Sequence, residues 1–172
     1  MSEFGRHTYG QPCRKCGFSW DISGEDAEVL IASLPVDFAT ALAGASGDER
    51  FADAPWSVTA YVFHAADNVR IWAERVAARA LNPRAIVVPY DQDKLAAARG
   101  YDELSLRAGL WALDRAAADW RVARQMIASQ SDAALEHPEM GRLAIKDAAR
   151  LVAHDGTHHV FDVRRALSEA SG

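Results

Sequence analysis

The sequence predicts an all-α protein, an antiparallel four-helix bundle preceded by an irregular, cysteine-containing N-terminal segment. Apolar residues recur at steps of three and four in four long stretches, which is the spacing of helices that bury one face. One long connection, a crossover, separates the second stretch from the third. No stretch shows the convincing alternation of apolar and polar residues that is typical of a strand.

Composition and charge place the chain among ordinary globular proteins. It has 172 residues, 49% hydrophobic and 25% charged, so a single domain with a sizeable core is expected. The net charge of −5 argues against a general nucleic-acid binder, which normally carries a basic face. No apolar run approaches the roughly 18–20 residues that cross a bilayer, and the N-terminus lacks a signal-peptide pattern. We therefore expect a cytoplasmic protein with no nucleic-acid or membrane partner. A homodimer is a further expectation, because exposed apolar stripes on helix bundles often pair.

The first two helices are expected on either side of a loop at 44–55. The first begins at Glu25, and its apolar residues fall near one stripe: Val29, Leu30, Leu34, Phe38 and Leu42. Pro35 lies within this stretch and predicts a kink or a division into two short helices. The second helix is expected over 55–81, with Pro55 in its first turn and Asn82-Pro83 ending it.

The crossover and the last two helices follow. Residues 86–89 are expected to be extended, and 91–100 to form a short helix or a loop. The third helix is expected to begin near Asp102, as N-cap, and its apolar residues keep the bundle spacing: Leu106, Leu110, Leu113, Ala117, Trp120 and Ile127. A polar connection over 129–139 leads to the last helix, 143–169. The chain therefore divides into an irregular segment, 1–23, and a four-helix domain, 24–172.

The last helix carries a histidine pair four residues apart, His154 and His158. On a helix this spacing stacks the two imidazoles on one face, about 6 Å apart along the axis. The pair needs one further protein ligand to make an open metal site of the catalytic type. His159 points about 100° away, so we expect it to pack or to support a ligand. Gly156, between the pair, either admits a ligand or a neighbouring helix, or is a tolerated defect.

His64 lies in the middle of the second helix and is the remaining helical histidine. Its neighbours on the helix mix small, aromatic and polar residues, as a lined cavity would, although a lone histidine there is more often an ordinary core residue. Asp67 and Asp162 are candidates for orienting histidine ligands or for proton transfer. Ion pairs with Arg70 and Arg165 are the alternative for these two carboxylates.

The N-terminal segment contains Cys13-Arg14-Lys15-Cys16-Gly17, half of a zinc-ribbon signature. Two cysteines are too few for a disulfide scaffold, and a complete structural zinc site needs four ligands. His7 is a candidate third ligand, with an Asp, His137 or another subunit supplying the fourth. We expect a small structural metal site or a redox-sensitive pair, separate from the bundle site. Two surface thiols on a flexible head are the alternative.

Several of these residues together resemble the DinB/YfiT-like family of metal-dependent enzymes, from about residue 25 to 170. The motifs that carry the resemblance are Pro55-Trp56-Ser57-Val58, His64-Ala65-Ala66-Asp67, Arg70, Arg75, Tyr90-Asp91-Gln92-Asp93, His154-x-x-x-His158-His159, Asp162 and Arg165. The resemblance implies a four-helix bundle in which His64, His154 and His158 hold one divalent metal. Zinc is the first expectation, with nickel, iron or manganese as alternatives.

The resemblance also implies a reaction class. Relatives include thiol-dependent transferases and isomerases that use a low-molecular-weight thiol such as mycothiol or bacillithiol. We therefore expect a metal-dependent transferase or hydrolase that acts on a small molecule, with a thiol as cosubstrate in the first case. A metal- or redox-sensing regulatory protein that uses Cys13 and Cys16, and a bundle that binds metal without catalysis, remain the alternatives.

Overall fold

The computed structural model describes residues 4–50 and 56–170, and these are mostly helical. The helices are α1 (Phe4–Tyr9), α2 (Gly24–Ala41), α3 (Val58–Leu81), α4 (Gln92–Arg99), α5 (Leu106–Ile127) and α6 (Ile145–Ala170). A single 3-10 turn, Tyr101–Glu103, joins α4 to α5, and two short strands, β1 (Ala134–His137) and β2 (Gly141–Ala144), precede α6. Within the described ranges, no helix is both long and apolar enough to cross a membrane.

Serine side chains fix where three of the long helices begin. Ser23, Ser57 and Ser105 each accept a hydrogen bond from the backbone N–H three residues on, which satisfies one of the unpaired donors of a first turn. The third long helix therefore begins at Leu106 and not near Asp102, which lies in the 3-10 turn. Asp102 instead accepts a hydrogen bond from the Ser57 hydroxyl, 2.8 Å away.

Two other predicted features of the first helices have different outcomes. Helix α2 runs through Pro35 as one helix rather than as two short ones. Pro55, predicted to open the second helix, lies outside the described residues, and α3 begins at Val58.

The four long helices pack around a common core, in an order that differs from their order in the sequence. The close pairings are α3 with α5, α2 with α6, α2 with α5 and α3 with α6. Consecutive helices α2 and α3 therefore lie across the bundle from each other, and α6 contacts both. The side chains fully buried between them include Ile31, Leu34, Phe38, Val62, Val69, Leu113, Ile127 and Val152. The predicted antiparallel arrangement remains a prediction.

A two-stranded sheet lies where the sequence predicted only a polar connection. Strands β1 and β2 pair antiparallel, with Leu135 opposite Leu143, and both of these leucines are buried. A four-residue strand shows only two inward positions, too few for alternation to be recognised. Residue 143 consequently belongs to β2, and α6 begins at Ile145.

The N-terminal segment is more ordered than predicted. It contains the six-residue helix α1, and Cys13, Phe18 and Trp20 are buried against the bundle core. Gly5 lies under the Trp20 ring, where an added Cβ would come within 2.5 Å of three ring carbons. The Arg150 guanidinium on α6 donates a 2.8 Å hydrogen bond to the Ile22 carbonyl. The segment is thus attached to α6 by apolar and polar contacts.

Candidate metal centres

Helix α6 presents two overlapping pairs of potential metal ligands. His154 and His158 form one pair, and Asp155 and His159 form the other; each pair is spaced four residues apart. Because consecutive helical residues differ by 100°, the two pairs occupy neighbouring but distinct faces. The structure brings each pair together with side chains from a different element.

The first group, the cysteine cluster, consists of Cys13, Cys16, His154 and His158. Each residue offers a ligand atom, and the four atoms lie within 4.8 Å of one another. The Cys13 Sγ and His158 Nδ1 are 3.7 Å apart. Cys13 and His154 are buried, whereas Cys16 and His158 are half-buried. The cysteines come from the N-terminal segment and the histidines from the opposite end of the chain.

A tight turn brings the two cysteines side by side. The Gly17 N–H donates to the Cys13 carbonyl and the Cys13 N–H donates to the Phe18 carbonyl, each over 2.9 Å. The turn requires Gly17 at φ 76°, a left-handed conformation that glycine adopts without a steric penalty. The short sequence Cys-x-x-Cys-Gly therefore folds into a hairpin-like loop with both sulfurs on one side.

His154 occupies an aromatic enclosure built mainly by the N-terminal segment. Its ring centroid lies 4.5 Å from that of Tyr9, 4.6 Å from Trp20 and 5.3 Å from Phe18. Burial, assisted by the nearby His158, lowers the pKa of His154 to about 4. Its Nε2 atom is buried and has no hydrogen-bond partner among the described residues. The neutral imidazole thus carries a nitrogen that lacks a protein partner.

The two thiols differ in their ionisation. Burial raises the pKa of Cys13, but backbone N–H groups of Cys16 and Lys15 and the Arg14 charge outweigh it, and the pKa falls below its ordinary value. Burial raises the pKa of Cys16 to about 11. Without a metal, Cys13 is therefore more readily ionised than Cys16, and a single thiolate is favoured over two.

The second group, the histidine–aspartate cluster, consists of His64 on α3 with Asp155 and His159 on α6. The three ligand atoms lie within 4.8 Å of one another. His64 Nε2 is 3.6 Å from Asp155 Oδ2, and His159 Nε2 is 3.7 Å from Asp155 Oδ1. These separations are too long for hydrogen bonds. Asp155 Oδ2 is consequently buried with no hydrogen-bond partner among the described side chains.

Asp162 and two aromatic rings hold the histidines of this cluster in place. The His159 Nδ1 lies 3.0 Å from Asp162 Oδ2. Because an ionised carboxylate only accepts, Nδ1 carries a proton, and in the neutral imidazole Nε2 then presents its lone pair to the cluster. The Trp56 ring packs 4.9 Å from His64, and the Tyr61 ring 5.2 Å from His159.

The charges of the histidine–aspartate cluster favour a bound cation. Burial alone raises the pKa of Asp155, but His159 and His64 lower it more strongly, to about 2. Burial lowers the pKa of His159, and the charges of Asp155 and Asp162 reverse that effect and raise it. The carboxylate therefore remains negative at neutral pH and lies between two nitrogen ligands.

The structure divides the predicted ligand set His64, His154 and His158 between the two clusters. His64 lies with Asp155 and His159, whereas His154 and His158 face the cysteines. His159, which we expected to pack or to support a ligand, is itself a member of the histidine–aspartate cluster. The two cysteines lie beside His154 and His158, two of the histidines predicted for the bundle site, rather than beside His7 or His137.

The other predicted ligands and carboxylates have different surroundings. His7 and His137 belong to neither cluster of the described residues. The Asp67 carboxylate is buried and accepts hydrogen bonds from Tyr101, Arg99 and Arg70, which joins α3 to the α4 region. Asp162 lies 3.0 Å from His159, a histidine outside the predicted ligand set. Asp91 caps α4.

Asp155 is the ligand candidate that the sequence analysis missed. The signal was present, since Asp155-x-x-x-His159 repeats the four-residue spacing of His154-x-x-x-His158 one position later. Carboxylate oxygens, like histidine nitrogens, are ligands of protein-bound zinc. The sequence alone did not show which of the two faces meets His64.

Three cavities lie elsewhere on the described surface. Their volumes are about 510, 470 and 280 Å³, and no residue of either cluster lines them. The first lies between the end of α5 and the sheet, beside Arg124 and Arg142. None of these cavities combines histidine, cysteine and carboxylate side chains, so the two clusters remain the candidate sites for metal chemistry.

Comparison with known proteins supports the fold. No family model matches the sequence, and no curated protein matches it. Among solved structures, the chain is similar to YfiT from Bacillus subtilis, with a TM-score of 0.74, 16% sequence identity and coverage of 86% of this chain and 87% of that chain. YfiT is described as a probable metal-dependent hydrolase with an unusual four-helix bundle topology. The resemblance to the DinB/YfiT-like proteins is thus confirmed at the level of the fold, which does not by itself transfer an activity.

Proposed function

We propose that this chain is a metal-dependent hydrolase whose divalent ion is bound by His64, Asp155 and His159. The observation that carries the proposal is the buried Asp155 Oδ2, which lies 3.6 Å from His64 Nε2 and has no hydrogen-bond partner among the described side chains. A buried, ionised oxygen without a partner is costly. An ion between the three ligand atoms removes that cost.

The ligand set suits a reactive metal rather than a structural one. Two imidazoles and one carboxylate are a common protein contribution to catalytic zinc sites, which leave a further position open. The side chains of Asp155 and His159 remain 27% and 15% exposed, while His64 is 3% exposed. The cluster therefore has a buried side on α3 and a partly exposed side on α6, and we expect a small substrate to approach from the exposed side.

The chain's own residues supply orientation and charge. When bound at such a site, a divalent ion acts as a Lewis acid and activates water at neutral pH. Asp162 fixes the proton of His159 on Nδ1, and this keeps Nε2 available as a ligand. The Trp56 ring fixes His64, and together with Tyr61 it forms an aromatic wall beside the cluster. This wall favours a small substrate with an apolar part.

Zinc is our first choice of metal because the set contains two nitrogens and one oxygen. The same set also occurs with iron, so metal analysis of protein purified without added metal decides between them. Thiol-dependent transfer, a small-molecule substrate, a cytoplasmic location and a homodimer remain predictions from the sequence. Transfer would use the same open position, since a metal-bound thiol loses its proton.

The test compares two variants, Asp155→Asn and Asp147→Asn. Both remove a carboxylate charge from α6, but Asp147 pairs with Arg150 over 2.6 Å and belongs to neither cluster. Zinc affinity is measured by chelator competition in protein that also carries Cys13→Ser/Cys16→Ser, so that the cysteine cluster does not contribute, and hydrolysis is followed with p-nitrophenyl acetate. We expect Asp155→Asn to lose at least about tenfold in affinity and in zinc-dependent rate, with Asp147→Asn unchanged in both.

A second assay distinguishes the two reaction classes. Glutathione and 1-chloro-2,4-dinitrobenzene are supplied to the zinc-loaded protein in place of the ester. A zinc-dependent rate here with none on the ester would replace the hydrolase by the transferase. With both cysteines replaced, equal zinc affinity with and without Asp155→Asn would overturn the proposed ligand set. If the protein binds zinc but catalyses neither ester hydrolysis nor thiol transfer, the result would support a bundle that binds metal without catalysis.

A further inference from the structure

We propose that Cys13, Cys16, His154 and His158 form a second, closed zinc site that fastens the N-terminal segment to α6. This site is independent of the proposed hydrolytic centre and plays a structural role. Four ligand atoms lie within 4.8 Å of one another, and two sulfurs with two nitrogens are a complete tetrahedral zinc set.

The geometry fits an ion without large rearrangement. Zinc–sulfur and zinc–nitrogen bonds of about 2.3 and 2.0 Å place ligand atoms of a tetrahedral site roughly 3.3–3.8 Å apart. The Cys13 Sγ and His158 Nδ1 already lie 3.7 Å apart. The buried His154 Nε2 lacks a partner among the described residues.

The backbone of the cysteine turn also suits thiolate ligands. The N–H groups of Lys15 and Cys16 are directed at the Cys13 sulfur, and Arg14 adds a positive charge. Two thiolates balance the two charges of a zinc ion, so the complete unit is neutral. A neutral unit is far less costly to bury than one thiolate left without a cation.

The exposure of the ligands separates this site from the hydrolytic one. Cys13 and His154 are only 3% and 4% exposed, and the aromatic rings of Tyr9, Phe18 and Trp20 surround His154. All four tetrahedral positions are occupied by protein atoms, so no position is left for a substrate. Such closed sites stabilise folds.

A metal at this site would add to the apolar and polar contacts that hold the N-terminal segment against α6. The segment's only helix in the described part, α1, has six residues, and helices of that length are not stable on their own. A metal that joins residues 13 and 16 to residues 154 and 158 closes a loop that contains nearly the whole chain. The ligands come from the two ends of the sequence, and metal binding therefore couples these ends.

The experiment uses adjacent histidines of α6 as a matched pair. Reduced, metal-free protein is titrated with Co²⁺, whose thiolate complexes show a charge-transfer band in the near ultraviolet and intense visible bands when tetrahedral. We expect these bands in wild type and in His159→Ala. We expect their loss in Cys13→Ser/Cys16→Ser and the loss of the tetrahedral visible bands in His158→Ala. Total zinc per chain should fall by one ion in the double cysteine variant.

Three outcomes would overturn the site. They are the absence of the thiolate bands in reduced wild type, their persistence in Cys13→Ser/Cys16→Ser, and an unchanged tetrahedral spectrum in His158→Ala. If a variant fails to fold by circular dichroism, wild type alone decides the question through the rate at which iodoacetamide alkylates its thiols. Zinc should slow alkylation of both cysteines at least about tenfold, and equal rates with and without zinc would contradict the site. Because His159→Ala retains the cobalt bands but loses the proposed hydrolytic ion, failure of one site is distinguishable from failure of the other.

Discussion

Asp162 contacts residues of both clusters. Its Oδ2 lies 3.0 Å from His159 Nδ1 and 3.9 Å from His158 Nε2. The first separation is a hydrogen bond and the second is a longer charge contact. The same carboxylate therefore orients a proposed ligand of the hydrolytic site and polarises a proposed ligand of the cysteine cluster.

Asp162→Asn tests this shared role. An amide oxygen still accepts from His159, but the negative charge is lost, so both sites should bind zinc more weakly. We expect about a tenfold loss of affinity at the histidine–aspartate cluster and a smaller loss at the cysteine cluster, since ligand-orienting carboxylates contribute 10- to 100-fold. Chelator competition measures the first and the cobalt–thiolate bands the second. An affinity equal to wild type at both sites would show that Asp162 only packs.

The sequence of α6 shows two possible ligand pairs but does not show which of them faces α3. The spacing of His154 and His158 was sufficient to predict a ligand pair, but Asp155 and His159 have the same spacing one residue later. Helical periodicity fixes the 100° between the two faces; it does not fix which face meets α3. That choice depends on the bundle order, in which α6 contacts α2 and α3 on different sides. Pairing His64 with His159 therefore required the tertiary structure.

At the scale of single elements, Gly156 sets how closely α6 approaches α2. A Cβ added there would lie 2.4 Å from Leu34 Cδ1 and 2.7 Å from Leu34 Cδ2. Leu34 is 1% exposed, so its side chain would have to shift within the packed core to admit that Cβ. The sequence analysis left open whether this glycine admits a ligand or a helix, and the structure places the α2 side chain against it.

A double-mutant cycle on Gly156 and Leu34 tests the contact. In wild type, Gly156→Ala gains about 1 kcal/mol of helix propensity but introduces an overlap that costs about 1–3 kcal/mol, so we expect a net loss of stability. In the Leu34→Ala background the overlap is gone and the propensity remains, so the same substitution should stabilise. Urea unfolding of the four proteins measures the change of sign. The same effect in both backgrounds would mean that the helices are not in contact here.

The sheet has its own titratable group, His137 at the end of β1. Its Nδ1 accepts hydrogen bonds from the N–H groups of Glu139 and Met140, over 3.2 and 3.3 Å. Its ring stacks on Trp72, and burial together with the Arg75 charge lowers its pKa. A protonated Nδ1 cannot accept these two bonds, so the folded hairpin requires the neutral form.

His137→Asn tests the resulting pH dependence. In the unfolded chain histidine binds a proton near pH 6.5, whereas the folded pKa is lower. The stability contributed by neutral His137 is therefore present above about pH 6.5 and is lost as the pH falls below that value toward the folded pKa. An asparagine oxygen replaces the acceptor without titrating. Urea unfolding at pH 7.5 and 5.5 should show a larger loss for wild type than for His137→Asn, and equal losses would exclude the effect, since other histidines titrate alike in both proteins.

At the scale of the whole molecule, the helices were more predictable from the sequence than their positions in the bundle. The three–four spacing in Leu106, Leu110 and Leu113 indicates a helix by itself, because burying one helical face requires it. The placement of α2 across the bundle from α3 depends on contacts between distant parts of the chain. The sequence also did not predict that residues 4–23 pack against the bundle. Phe18 and Trp20 belong to no periodic pattern, and only the tertiary structure shows that they contact His154.

Metal removal should release the N-terminal segment while the bundle persists. The residues between the two cysteines are Arg14 and Lys15, both exposed and both trypsin sites. A protease needs an extended, locally unfolded chain, and the free energy of that opening rises when a metal binds only the closed form. We expect chelation to speed cleavage after these residues at least about tenfold, as expected if zinc contributes about 1.4 kcal/mol or more to the closed state. Mass spectrometry of the N-terminal fragments follows the rate.

Two variants show which ion is responsible. His159→Ala removes a ligand of the proposed hydrolytic site and none of the cysteine cluster, so it should remain protected with zinc and become sensitive with chelator, as wild type does. Cys13→Ser/Cys16→Ser should be cleaved rapidly with or without zinc, while its far-ultraviolet circular dichroism stays close to that of wild type because the long helices do not depend on the cysteine cluster. If chelation leaves the cleavage rate of wild type unchanged, the packing of Phe18 and Trp20 and the Arg150 hydrogen bond hold the segment against α6 without a metal.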